Sequence, residues 1–142
     1  MITANTKWQL KLERPLIVFG YRVFSRWVGD QVKILLLSTT GRKSRRTRTV
    51  PLVYMPVDDR FVVTAANLGF DQHPGWFLNL KQNPQALIQI GTAKMTVLAQ
   101  EVTAEERDRL WASWIQVNPG YEGFQAKTTR KLPMVILQPN RT

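Results

Sequence analysis

The stretch VKILLLSTTGRKSRRTRTVPLVYM, residues 32–55, decides how this chain folds. VKILLLS (32–38) is apolar without alternation after Lys33, the pattern of a strand buried on both faces. TVPLVYM (49–55) is rich in β-branched and aromatic residues and reads as a second strand. Pro51 has no amide proton for a ladder, so that strand lies at a sheet edge or a bulge. Between the two, TTGRKSRRTR (39–48) is a polar loop in which Gly41 permits a tight turn.

Working downstream, Asp58 and Asp59 turn the chain into RFVVTAA (60–66), which makes 49–66 a predicted hairpin. After NLGFDQH, Pro74 opens a short helix, PGWFLNLKQN, that stops before Pro84. ALIQI (86–90) and KMTVLAQEV (94–102) are two strands joined across Gly91, Thr92 and Ala93. TAEE is a capping box with Thr103 as N-cap and Glu106 three residues on. The helix it starts carries Leu110, Trp111, Trp114, Ile115 and Val117, and Pro119-Gly120 ends it. A loop or short helix over 121–129 leads to the last strand, PMVILQP (133–139).

Upstream, residues 9–28 read as a helix entered through Pro15. Ile17, Val18, Tyr21, Phe24 and Val28 recur at three- and four-residue spacing, with Arg14, Arg22 and Arg26 on another side. Such a helix either packs on the domain core or lies at a lipid headgroup boundary. The expected organisation is an N-terminal amphipathic helix over 1–29 and a barrel domain over 30–142. About six strands linked mostly by hairpins, with no βαβ alternation, predict an α+β, mainly β fold. Its sheet is an antiparallel barrel with peripheral helices.

The 142 residues suffice for one domain, and a chain of that length hides about 70% of its unfolded surface without staples. No cysteine is present, which excludes disulfides, iron–sulfur clusters and thiolate chemistry and fits a cytoplasmic protein. The N-terminus has no signal-peptide pattern, and no run approaches the roughly 20 apolar residues that span a bilayer. A protein that is soluble or peripheral is expected.

The net charge is +10, unevenly spread. No acidic residue falls between Asp30 and Asp58, whereas Lys33, Arg42, Lys43, Arg45, Arg46 and Arg48 do. That field attracts a phosphorylated cofactor, nucleic acid or an acidic lipid surface. Nucleic acid fits worst, because the basic residues form one loop with no interleaved aromatics. The loop itself reads either as an anion clasp or as a solvated hairpin tip.

A single histidine and no cysteine leave no metal site. His73, against Pro74, reads as a structural or capping residue. With no nucleophile–base set and no Walker or Rossmann glycine signature, any reactivity belongs to a bound cofactor. Trp76 and Phe77, and Tyr121 and Phe124, either wall a slot for a flat ring or fill the core.

Taken in order, LLSTTGRKSRRTRTVPLVY, FVVTAANLG, HPGWFLNLKQNP, ALIQIG, TAEERDRLW and NPGYEGFQAKTTRKLPMVILQP resemble the deazaflavin-dependent nitroreductase and quinone-reductase family over about residues 33–139. The resemblance implies a split β-barrel related to flavin-reductase barrels. It also implies coenzyme F-420 as cofactor, with FMN as the same-fold alternative, and a quinone or nitro-aromatic acceptor. A non-catalytic carrier of lipid or quinone is the alternative from another class. Arg42, Lys43, Ser44 and Arg48 match positions that hold the anionic tail. Thr49, Val50 and Pro51 match the strand beside the ring, and Ala65, Ala66, Asn67 and Gly69 match the stretch lining the cofactor site. Trp76 and Asn79 match the adjoining helix, and Tyr121 an aromatic position over the acceptor, with a role in placing it or donating a proton. Ala66 stands where a serine is common, Asn67 where some members have lysine, and Phe124 where tyrosine is frequent.

Overall fold

The computed structural model describes residues 32–140, so the helix expected over 9–28 lies outside the described residues. The described residues form seven strands and three α-helices: β1 Ile34–Thr40, β2 Thr47–Val53, β3 Met55–Val57, β4 Arg60–Thr64, α1 Gly75–Gln82, β5 Gln85–Ile90, β6 Ala93–Glu101, α2 Ala104–Val117, α3 Tyr121–Ala126 and β7 Met134–Pro139. No helix among the described residues is long and apolar enough to cross a membrane.

All strands join one sheet in the order β2-β1-β5-β6-β7-β4-β3, and every neighbouring pair is antiparallel. Its two edges are halves of one stretch of chain, since only Tyr54 separates β2 from β3. A flat seven-stranded sheet would hold its edges about 29 Å apart at the usual strand spacing. Two residues of chain reach about 7 Å. The sheet therefore curls until its edges meet, and the result is the expected split barrel. At the junction the Tyr54 amide donates to the Lys33 carbonyl at 2.9 Å, and its ring meets Phe61 edge-on at 5.6 Å.

Two expectations are corrected by this closure. The strand predicted over 49–55 is two strands, so there are seven rather than six. Residues 49–66 are not one hairpin either: β2 pairs with β1 from Ile34↔Val53 to Thr40↔Thr47, and only β3 and β4 form a hairpin, around Asp58 at φ 57°. The alternation of a two-residue period cannot reveal such a change of partner, because it marks faces and not neighbours.

The barrel interior is packed by Leu35, Leu37, Val63, Ala86, Ile88, Val97, Val135 and Leu137, with Trp76, Phe77 and Leu80 of α1 joining them. On the opposite face of β3, β4 and β7, Met55, Val62, Met134 and Ile136 pack beneath Trp114 of α2. β1 is buried from Ile34 through Thr39, as its unbroken apolar run implied. α2 begins at the expected cap, where the Glu106 amide donates to Thr103 Oγ1 at 3.3 Å. Leu37→Ala is expected to cost about 2–5 kcal/mol in urea unfolding. Leu98→Ala, at a side chain 49% exposed, should change stability by less than about 0.5 kcal/mol.

Candidate cofactor-binding site

β1 runs on to Thr40 and β2 starts at Thr47, so the basic loop is the tip of their hairpin. The tip is closed by Gly41 N–H donating to the Arg46 carbonyl at 2.7 Å and Arg45 N–H donating to the Gly41 carbonyl at 2.8 Å. A side chain at 41 would put its Cβ 2.7 Å from Ser44 Oγ and 3.0 Å from Arg46 O, which is why glycine stands there.

Asn79 of α1, 4% exposed, anchors this tip to the barrel. Its Oδ1 accepts from Arg42 N at 3.1 Å and Arg42 Nη1 at 2.9 Å, and its Nδ2 donates to Thr39 Oγ1 at 3.1 Å. Arg42 Nη1 also donates to the Gly75 carbonyl at 3.4 Å. Both ends of a buried amide are thus satisfied, and the first cation of the loop has a fixed direction.

A cleft of about 530 Å³ opens between the tip and α1. Arg42, Lys43, Ser44, Arg48 and Val50 line one side, and Asn67, His73, Trp76 and Asn79 the other. Gly41, Pro74 and Gly75 complete the wall, so the N-terminal end of α1 opens on it, where unpaired amides favour anions. Three of the lining residues are cations and none is acidic. Trp76, 8% exposed, belongs to the barrel core and also lines the cleft.

Eight of the residues implied by the resemblance meet here: Arg42, Lys43, Ser44, Arg48, Val50, Asn67, Trp76 and Asn79. The others do not line the cleft. Thr49 faces away from Arg48 and Val50, as strand alternation requires, and its Oγ1 lies 2.7 Å from Ser38 Oγ. Pro51 is exposed on the edge strand. Ala65 and Ala66 are buried beneath the site and offer it no side-chain polar group. Gly69 closes a left-handed turn over Asn67, Leu68 and Gly69, with φ of 48°, 57° and 84°. A Cβ there would lie 2.6 Å from the Phe124 carbonyl of α3. Tyr121 sits in the second core layer, edge-on to Trp114 and to Phe124 at 5.1 Å each. Burial raises its phenol to about 12, so it stays protonated at any working pH.

His73 does not cap α1, whose first turn has no side-chain cap. It lies in the cleft wall, tilted against Phe77 at 4.9 Å, with Nδ1 3.2 Å from Arg130 Nη1. Burial first, and then the Arg130 charge, lower its pKa below 6.5. Arg130 had no role in the sequence reading. It precedes the last strand within KTTRKLPM, and nothing local marks a residue whose partners lie about 60 positions away.

A curled antiparallel barrel with a cationic hairpin tip beside an aromatic wall places this chain in the split-barrel class of folds. The chain matches the family profile F420H(2)-dependent quinone reductase over residues 16–139, and it belongs to that family. It is 35% identical over 108 residues to a putative F420H(2)-dependent quinone reductase of Mycobacterium tuberculosis, covering 76% of this chain and 91% of that one. A second F420H(2)-dependent quinone reductase of that organism is 37% identical over 106 residues, covering 72% and 71%. A solved F420-H2 dependent reductase superposes with a TM-score of 0.68 at 34% identity, covering 75% and 94%.

Asn79→Ala removes no charge, yet it leaves Thr39 Oγ1 and the Arg42 amide without their partner. It should cost about 1–3 kcal/mol in chemical unfolding and weaken anion binding at the tip, read by titration with inorganic pyrophosphate.

Proposed function

We propose that this chain passes hydride from reduced coenzyme F-420 to a quinone or nitro-aromatic acceptor, with the cofactor lying along the cleft between the β1–β2 tip and α1. The observation that carries the reading is one cleft holding Arg42, Lys43 and Arg48 at one end and Trp76 and Val50 beside them, its geometry fixed by Asn79. An anionic tail joined to a flat ring needs both features, and the cleft volume lies in the range of ligand sites.

When bound, the reduced deazaflavin supplies the hydride from its ring carbon; the protein supplies binding, orientation and shelter from water. Arg42, Lys43, Ser44 and Arg48 hold the tail. Thr49 and Pro51 act through the strand, which they place rather than touch the ligand, and Val50 presents the apolar contact. Asn67 lines the opposite wall, and Ala65, Ala66 and Gly69 place the turn that carries it, a role suited to two alanines and a glycine. Trp76 flanks the ring. Tyr121 reaches the acceptor side only through α3, which rests on the 67–69 turn. Held in the second core layer against Trp114 and Phe124, it places that turn and does not itself touch the ligand.

We also propose that residues 1–29 are a unit of their own, whose 9–28 segment brings a cytoplasmic protein to the anionic inner membrane face. The alternation of apolar and arginine positions supports it.

Arg42→Ala with Lys43→Ala should raise the Kd for F-420 by about a hundredfold or more, since each charge-assisted contact contributes about 1.5–3 kcal/mol. The dependence of log K on log salt should flatten. An unchanged Kd and salt slope would overturn the assignment of the tip. For the N-terminal segment, deleting residues 1–29 should lower partitioning onto vesicles of anionic phospholipid; equal partitioning of both proteins refutes it.

A further inference from the structure

Arg130 makes four contacts that no other described side chain duplicates. Its Nε donates to the Phe70 carbonyl at 2.9 Å, Nη1 to the Ala65 carbonyl at 3.1 Å and Nη2 to the Ala66 carbonyl at 2.8 Å. Nη1 also lies 3.2 Å from His73 Nδ1. The three carbonyls bracket the left-handed turn at 67–69. Leu68 at φ 57° is an outlier for a branched residue, and such backbone persists only where its surroundings hold it on several sides.

The contact to His73 has a chemical consequence. A guanidinium has donors and no acceptor, so the imidazole nitrogen facing it must be the unprotonated one. Nδ1 is that nitrogen, and the ring proton is left on Nε2. Among the described residues no partner holds Nε2, and His73 lines the cleft.

We propose that Arg130 is a positioning residue that clamps the strained 67–69 turn and fixes His73 as a neutral imidazole, so that the cleft presents an Nε2–H donor to an acceptor oxygen of its ligand. This deepens the cofactor reading and rests on it for the identity of the ligand, a carbonyl or phosphate oxygen of F-420. The lock itself is a property of the protein alone. The charges around the ring agree with it: Arg130 and Lys81 oppose protonation, and Glu101 alone favours it. Asp71 is held by Thr128 and tempers Arg130 rather than the imidazole. Arg42 lines the same cleft.

The chain has one histidine, so long-range proton–nitrogen NMR reads this ring without assignment. In the wild-type apoprotein the Nε2–H tautomer is expected, with a titration midpoint below 6.5. In Arg130→Met the ring should exchange between tautomers and its midpoint should rise. An Nδ1–H tautomer in wild type overturns the lock and needs no variant; so does an unchanged tautomer and midpoint in a folded Arg130→Met. For the donor, His73→Phe keeps ring packing on Phe77 and should weaken F-420 binding about tenfold, while His73→Gln, which retains an amide donor, should recover most of it. Equal binding by wild type and His73→Phe, or equal loss in both variants, overturns the donor role. Should wild type show the Nε2–H tautomer and bind no F-420, the cofactor reading fails and the lock stands.

Discussion

The continuity of β2 and β3 through Tyr54 is the constraint on which the molecule depends. Because consecutive strands occupy opposite edges of one seven-stranded sheet, the sheet closes, and closure creates an interior that side chains from both ends of the chain share. The β1–β2 tip, beyond the last paired residues Thr40 and Thr47, is held against α1 by Asn79. α1 then packs Trp76, Phe77 and Leu80 into the interior, which sets its remaining face, Gly75 and Asn79, opposite the tip. The cleft is thus a consequence of how the barrel closes.

Within that frame, polar groups are divided by task. Asn79 and Arg130 are both well supplied with partners, and neither is a free charge awaiting a ligand. Asn79 spends its amide on Thr39 and Arg42, tying the cationic side of the cleft to the core. Arg130 ties down the opposite side, where the backbone is strained and the side chains are small. Lys43 and Arg48 line the cleft while exposed to solvent, where water and salt weaken what any single charge contributes.

Ala66 and Asn67 fall on the Arg130-held side of the cleft, and Phe124 on the helix behind it. Asn67 and His73 are the polar side chains on that wall. The two sides of the cleft thus differ in kind, one short of charge and the other cationic.

Local signals determined a good deal. The unbroken apolar run of β1, the proline on an edge strand, the Thr103 N-cap of α2 and the acid-free basic tip each express a property of a few neighbouring residues, and each is found as read. The family motifs named eight of the cleft residues. What the sequence by itself did not determine was partnership at a distance. A two-residue period shows which face a side chain takes but not which strand lies beside it, so the break at Tyr54 was invisible. Sequence spacing likewise could not join Arg130 to Ala65, Ala66 and His73, or separate Tyr121 from the cleft. Those relations arise only when closure of the barrel brings remote backbone within hydrogen-bonding distance, and the tertiary structure alone decided them.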